Sequence, residues 1–160
     1  MQPATPAGDR MVVRISKLMR APVAEVFSWC TDYSDLDPQI TGSGPSQTRE
    51  VVARNGRTVI LVDKYADPAI KERRVEVSLR PPNQWHAKFI GGRWEGTGKY
   101  VLSEIPEGTR LDIVFRIEKT IKGYTSEDLR QRANEIWDKY VTEMEKDLQS
   151  RRVSLGVAIR

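Results

Sequence analysis

The chain has 160 residues, of which 39% are hydrophobic and 30% are charged, and its formal net charge is +4. This is the length of a single domain, and no apolar run approaches the roughly 18 residues that a membrane span requires. The 26 basic residues are offset by 22 acidic residues scattered along the chain, which argues against a dedicated nucleic-acid-binding surface.

Residues 1–10 predict a flexible N-terminal tail. They contain Pro3, Pro6 and Gly8 but no apolar segment of the kind found in secretory signals, so we expect a cytoplasmic protein. The chain has a single cysteine and a single histidine, which excludes an internal disulfide and argues against a Cys/His zinc site. We therefore expect neither a metal nor another cofactor.

The next residues predict a strand followed by short helices. Residues 11–19 alternate between apolar and other side chains, as a strand with one buried face does. Ala21-Pro22 predicts a helix start, and apolar residues between Val23 and Cys30 then recur at spacings of three and four. Residues 31–38 are dense in cap and turn residues and predict a second short helical turn.

Six further strands are predicted in the middle of the chain, each separated from the next by turn residues. Asn55-Gly56, which tolerates the positive dihedral angles of a type I′ hairpin, divides the first two. Strands joined in sequence by short turns pair antiparallel, so the sequence predicts a meander. The predicted strands cover residues 46–54, 57–66, 70–80, 84–90, 93–104 and 109–120.

The period of two assigns each strand residue to a face of the sheet. In the strand 93–104, Trp94, Gly96, Gly98 and Tyr100 share the inward face. The two glycines would relieve the curvature of a bent sheet, and they would also leave volume beside the two rings. Curvature alone explains the glycines equally well.

Residues 125–152 predict one long amphipathic helix. Thr125 is the expected N-cap, and Asp128 completes a variant of the capping box. The apolar face of the helix has the spacing of three and four and comprises Leu129, Ala133, Ile136, Trp137, Tyr140, Val141, Met144 and Leu148. The apolar C-terminal tail, residues 153–160, either packs on the domain of residues 11–152 or contacts a second copy as a homodimer.

A gap is expected between the sheet and the long helix. A curved antiparallel sheet cannot lie flush along a straight helix, and gaps of this kind commonly hold apolar ligands. Ordinary core packing explains most of the inward-facing apolar side chains, but some of them will line the remaining volume. The predicted lining comprises Trp85, Phe89, Trp94, Tyr100, Phe115, Trp137, Tyr140 and Met144.

Two charged residues fall on otherwise apolar strand faces. Asp63 and Arg73 lie on adjacent predicted strands, and buried charges need partners, so the two could pair at the cavity wall and orient a ligand's polar end. Alternatively, a bulge or a strand end exposes both to water. His86 is expected on the outward face with Lys88, so we assign no catalytic residue.

The order of strand, short helices, six-stranded meander and terminal helix resembles the helix-grip fold of the START-like (SRPBCC) superfamily. That superfamily includes birch-pollen-allergen (Bet v 1-like) relatives and polyketide cyclase/dehydrase-like proteins. The segments Ala21 to Phe27, Asp32-Tyr33 and Gly108 to Leu111 are similar to its motifs, and the resemblance covers nearly all of the chain after residue 10.

The resemblance implies an α+β fold with a cavity and leaves the function open. A seven-stranded curved antiparallel sheet would wrap around the long C-terminal helix, with two short helices after the first strand. The superfamily includes lipid carriers, receptors, cyclases and co-chaperones, so the fold does not license an activity. The resemblance supplies no catalytic residue by position.

The leading hypothesis is non-catalytic binding or transport of a hydrophobic small molecule, either lipid-like or aromatic and polyketide-like. The first alternative is a cyclase- or dehydratase-like enzyme in which Asp63, Arg73 or a tyrosine hydroxyl moves protons. The second alternative is a quinone-related or protein-partner adaptor that uses the outer sheet face or the apolar tail. A contiguous exposed apolar patch would mark that adaptor.

Overall fold

The computed structural model describes residues 11–33, 47–67, 70 and 72–154. The predicted N-terminal tail at residues 1–10 and most of the predicted second helical turn at residues 31–38 lie outside these ranges. Of the predicted C-terminal tail at residues 153–160, Val153 and Ser154 belong to the last helix, and residues 155–160 lie outside the described ranges. Within them, the chain forms seven strands and two helices. The elements are β1 (Val12–Met19), α1 (Val23–Cys30), β2 (Gln47–Asn55), β3 (Thr58–Tyr65), β4 (Glu72–Arg80), β5 (Gln84–Gly91), β6 (Trp94–Ile105), β7 (Gly108–Thr120) and α2 (Ser126–Ser154).

The seven strands form one antiparallel sheet in the order β1-β7-β6-β5-β4-β3-β2. The six strands from β2 to β7 are a meander in which each pairs with the next, and β1 joins its edge beside β7. The sheet is curved and open, and the long C-terminal helix α2 packs with it as the helix-grip fold requires. The predicted fold class is confirmed, with one short helix after β1 in the described residues.

A single core lies between the sheet and α2. In β7, the inward side chains from Leu111 to Ile117 are at most 4% exposed, as their period of two predicts. Complete burial of each large apolar side chain contributes about 1.5–3 kcal/mol. The helix contributes Leu129, Ala133, Trp137, Tyr140, Met144 and Leu148 to the same core.

The hairpin between β2 and β3 is present, but its turn lies one residue further along than expected. Asn55 pairs with Thr58, so the two turn residues are Gly56 and Arg57 rather than Asn55 and Gly56. Gly56 has a φ of 60°, and glycine accepts this dihedral angle because it has no Cβ. Asn55 thus ends the strand ladder instead of starting the turn.

A β-bulge in β2 reverses the faces of the residues before it. Val51 pairs with Leu61 while Ala53 pairs with Ile60, so Val52 is an extra residue in β2. Continuing the register of the hairpin without this residue would place Glu50 opposite Asp63. The extra residue instead places Arg49 opposite Asp63, because one inserted residue exchanges the two faces of a strand.

The helix α2 is attached to the sheet mainly along β1, which makes the closest backbone approach to it. Lys17 of β1 forms an ion pair with Asp138 at 2.7 Å. Trp29 of α1 donates a hydrogen bond from Nε1 to Asp147 at 2.9 Å. These contacts hold the helix at one edge of the sheet. Within the described ranges, neither helix combines the length and the apolarity that crossing a membrane would need.

The N-terminus of α2 has the predicted capping box. The Thr125 hydroxyl accepts a hydrogen bond from the Asp128 amide at 3.1 Å, and the Asp128 carboxylate accepts one from the Thr125 amide at 2.8 Å. These two bonds satisfy backbone donors that the first helical turn would otherwise leave unpaired.

We expect Thr125→Ala to lower the free energy of unfolding by about 1 kcal/mol, because it removes the hydroxyl acceptor of this cap. Urea unfolding followed by circular dichroism measures the change. Thr125→Ser keeps the hydroxyl and serves as the control. Equal losses in the two variants would show that the cap does not stabilise the helix.

Candidate functional site

A cavity of about 540 Å³ lies between α2 and the inward face of the sheet. Strands β2 to β7 all contribute to its wall, and α2 contributes the apolar side chains Leu129, Ala133 and Ile136. The attachment of α2 along β1 leaves the rest of the sheet curving away from the helix. The volume therefore lies where the sequence predicts a gap.

Aromatic rings form the largest part of the wall. Phe89 and Trp94 have ring centroids 4.6 Å apart, and Trp94 meets the edge of Phe115 at 5.5 Å. From the helix side, Trp137 lies 6.0 Å from Tyr100. The predicted lining residues that the cavity brings together are Phe89, Trp94, Tyr100, Phe115, Trp137 and Tyr140.

Trp85 and Met144, also predicted as lining, are buried in the core and are not among the residues that line the cavity. Trp85 is stacked on Tyr100 with ring centroids 4.9 Å apart, and its other neighbour is the edge of Phe27. Trp85 therefore supports a lining residue from behind. Met144 is 0% exposed.

The rings of Tyr100 and Phe115 occupy the space beside Gly98 that a larger side chain would need. A Cβ added there would lie 3.1 Å from the Tyr100 ring and 3.2 Å from the Phe115 ring. Gly96 lies at a second bulge, and a Cβ there would collide with the backbone oxygen of Arg116. The glycines thus allow strand curvature and close ring packing, and the cavity does not extend into the space beside Gly98.

Three charged side chains form an ion-pair cluster across β2, β3 and β4, which we call the floor triad: Arg49, Asp63 and Arg73. They are direct partners in the strand registers. Arg49 binds both carboxylate oxygens of Asp63, with Nε at 2.5 Å and an Nη nitrogen at 2.9 Å. Arg73 donates to Oδ2 of Asp63 from Nε at 3.2 Å and from an Nη nitrogen at 2.8 Å.

Asp63 and Arg73 are therefore paired across adjacent strands, and the alternative of water exposure is excluded for Asp63. Its side chain is 0% exposed, while those of Arg49 and Arg73 are 11% and 14% exposed. Both arginines line the cavity, with Asp63 behind them. The triad thus presents two guanidinium groups to the cavity.

Asp63 and Arg49 keep their charges at neutral pH. Burial alone would raise the pKa of Asp63, but the hydrogen bond and charge of Arg49, with the charge of Arg73, lower it below the usual 3.8. Burial alone would lower the pKa of Arg49, but Asp63 raises it above its usual value. Asp63 is consequently a carboxylate with four donors and is poorly suited to accept a proton.

Tyr100 and Tyr65, which both line the cavity, remain neutral. Burial raises the pKa of Tyr100 above its usual value, although the positive charges of Arg49 and Arg73 oppose that rise. Burial also raises the pKa of Tyr65. These hydroxyl groups can therefore donate hydrogen bonds to a ligand.

Polar and more exposed side chains border the cavity, and we call them the rim: Asp67, Arg93, Tyr124, Asp128 and Arg132. Arg93 lies 3.9 Å from Asp67 and 5.8 Å from the centre of the Tyr65 ring. The sequence pattern did not identify the rim, because its residues belong to turns and to the exposed side of α2. It also missed Arg49, whose inward position depends on the bulge at Val52.

His86 lies on the outer face of the sheet, as the period of two predicts. It borders a depression there with Lys88 and Lys99, away from the cavity. Partial burial lowers its pKa, and the charges of Arg80 and Lys99 lower it further. His86 therefore has no role at the cavity.

Solved structures similar to this chain cover most of its length. TTHA0849 from Thermus thermophilus is 23% identical, with 90% of this chain and 98% of that chain covered and a TM-score of 0.57. Ara h 8.0201 is 15% identical, with 84% and 97% covered and a TM-score of 0.60. The di-domain ARO/CYC StfQ from the steffimycin biosynthetic pathway is 14% identical, with 92% and 53% covered and a TM-score of 0.61.

The chain has the helix-grip fold, which these solved structures share. No family model and no curated protein matches it. Identities this low establish a shared fold and assign no activity.

We expect Asp63→Asn to lower the free energy of unfolding by about 3–5 kcal/mol, because it leaves two buried guanidinium groups without a counter-charge. Urea unfolding at neutral pH measures the loss. The control is Asp67→Asn, which alters an exposed pair and should cost about 1 kcal/mol or less. Similar small losses in both variants would mean that the triad does not stabilise the fold.

The stabilisation by Asp63 should also depend on pH. Since the folded pKa of Asp63 lies below 3.8, its contribution is complete above the pKa of the unfolded chain and is lost as the pH falls through the folded value. The stability difference between wild type and Asp63→Asn should thus be constant above about pH 5 and shrink in stronger acid. A difference that grows on acidification would contradict the assignment.

Proposed function

We propose that the protein binds a hydrophobic small molecule, aromatic or lipid-like, in the cavity between α2 and the sheet. The observation that carries this proposal is the volume of about 540 Å³ lined by eight aromatic side chains. Pockets that bury drug-sized ligands have volumes of about 300–1,000 Å³ and similar linings. Flat ring faces favour a ligand that offers rings or chains for offset packing.

The lining is rigid enough to keep the volume open. Tyr100 is held between Trp85 and the edge of Phe115, and Trp137 meets Tyr140 edge-on at 5.0 Å. The helix above them is held on β1 by the ion pair between Lys17 and Asp138. Closing the cavity would require these contacts to break, so a preformed site is supported.

The protonation states of the lining favour binding over catalysis. Asp63 is ionised and accepts four hydrogen bonds, Arg49 stays protonated, and Tyr100 stays neutral. A general base needs a pKa near the working pH and access to a substrate proton. No residue of the floor triad meets both conditions.

A cyclase- or dehydratase-like enzyme is the second candidate. One ground is that Tyr100 lines the cavity and its hydroxyl lies in the electrostatic field of Arg49 and Arg73. The other is the fold that the chain shares with the ARO/CYC StfQ. Guanidinium groups can stabilise negative charge that develops on a substrate oxygen, and a neutral phenol can supply a proton. Turnover of a bound molecule would distinguish this candidate from the first.

The adaptor alternative has less support. The large apolar side chains with high exposure in the described ranges are Leu18, Val52, Ile90 and Ile121, which belong to four separate parts of the fold. Leu18 and Val52 are on the two opposite edge strands. Residues 155–160, which make up most of the predicted apolar tail at residues 153–160, lie outside the described ranges.

We expect Ala133→Phe to weaken binding of the neutral fluorescent probe phenylnaphthylamine by at least about tenfold, because the added ring occupies cavity volume above the sheet. Fluorescence titration measures the affinity, and native mass spectrometry of the unmodified protein identifies any co-purified molecule. Thermal unfolding establishes that the variant is folded.

The matched control is Gln131→Phe, which places the same ring on the exposed side of α2. It should leave the affinity within about twofold of wild type. If Ala133→Phe binds the probe as tightly as Gln131→Phe does, the probe does not occupy this cavity and the proposal fails.

A further inference from the structure

The floor of the cavity carries more positive than negative charge. Arg49 and Arg73 share one carboxylate, that of Asp63, so the floor triad has a net charge of +1. All three side chains are largely withdrawn from water. An uncompensated charge in a buried site raises the free energy of the folded protein, and a bound ligand of opposite charge would offset that increase.

The rim, by contrast, is electrically balanced within the described residues. Arg93 lies near Asp67, and Arg132 shares the helix end with Asp128. Asp128 also accepts a hydrogen bond at the N-terminus of α2, where the helix dipole favours negative charge. The excess positive charge of the cavity is therefore located at the floor.

Both guanidinium groups are held in place before any ligand arrives. Arg49 is fixed by its two hydrogen bonds to Asp63. Arg73 is fixed by Asp63 and by the face of Phe89, whose centre lies 5.0 Å from its guanidinium carbon. Preorganised donors lose little conformational freedom when they bind an anion.

These groups also retain unused donors. Arg49 and Arg73 each direct Nε and one Nη nitrogen to Asp63, and their second Nη nitrogens have no hydrogen-bond acceptor among the residues described. The Tyr100 hydroxyl, on the same cavity wall, likewise has no acceptor there. Three donors thus lie beside a surface of aromatic rings.

We propose that the ligand is an amphipathic monocarboxylate, whose carboxylate is bound by Arg49, Arg73 and Tyr100 while its apolar body packs on the rings. This inference rests on the proposed function and specifies the class of ligand. A single negative charge matches the net charge of the triad, whereas a phosphate dianion would leave a negative excess in the cavity. Guanidinium and carboxylate groups also match in planar geometry.

Paired acids and esters test this proposal in the unmodified protein. Naphthoate is compared with methyl naphthoate, and dodecanoate with methyl dodecanoate, by isothermal titration calorimetry. Each acid should bind about tenfold to a hundredfold more tightly than its ester, as expected for charge-assisted hydrogen bonds. Whichever acid binds more tightly, naphthoate or dodecanoate, shows whether the body of the ligand is aromatic or lipid-like.

Arg73→Met isolates the contribution of the floor. It removes the excess charge but leaves Arg49 and Asp63 as a neutral pair, so the fold should be retained. The preference for acid over ester, measured as the ratio of the two affinities in this variant, should disappear. Arg49→Met, which leaves the pair of Asp63 and Arg73, provides a second variant should Arg73→Met not fold.

Arg132→Met is the matched control, since it removes the same charge from the exposed rim of the same cavity. This variant should keep the preference for acid over ester. If it loses that preference as completely as Arg73→Met does, the preference arises from the overall positive field of the cavity, and the proposed direct contact with the carboxylate is wrong. Equal affinity of acid and ester in the wild type would overturn the carboxylate proposal while leaving the proposed function standing. Absence of binding by every probe would overturn both.

Discussion

The burial of Asp63 is the constraint on which much of the site depends. A carboxylate with no exposure must be paired and hydrogen-bonded, and here the partners come from the two neighbouring strands. Arg49 reaches it because of the bulge at Val52, which prevents Glu50 from taking that place. One buried charge thus ties β2, β3 and β4 together and determines the polar wall of the cavity.

The cavity exists because α2 is attached at one edge of a curved sheet. Its ion pair with Lys17 and its hydrogen bond from Trp29 hold it over β1, and the strands beyond curve away beneath it. Aromatic side chains supported by Trp85 fill part of the gap and leave the rest open. The resulting volume has apolar walls and one charged end, so it offers a ligand two chemically distinct contacts.

The helix-grip fold does not decide what this cavity does. The similar structures include Ara h 8.0201 and the ARO/CYC StfQ, and all share a fold with this chain at low identity. What distinguishes candidate functions is the chemistry of the wall. The protonated Arg49, the fully hydrogen-bonded carboxylate of Asp63 and the neutral Tyr100 are the features on which the proposed recognition of an anionic group rests.

The strands, the long helix, its cap and the inward faces of β6 and β7 could all be predicted from the amino-acid sequence, because they follow from period, turn residues and contacts between near neighbours. The sequence also indicated six of the aromatic lining residues and the unusual placement of Asp63 and Arg73. The turn at Gly56, the inward position of Arg49, the rim and the filling of the space beside Gly98 became known from the three-dimensional structure. These depend on register and on packing between distant segments, which no local pattern specifies.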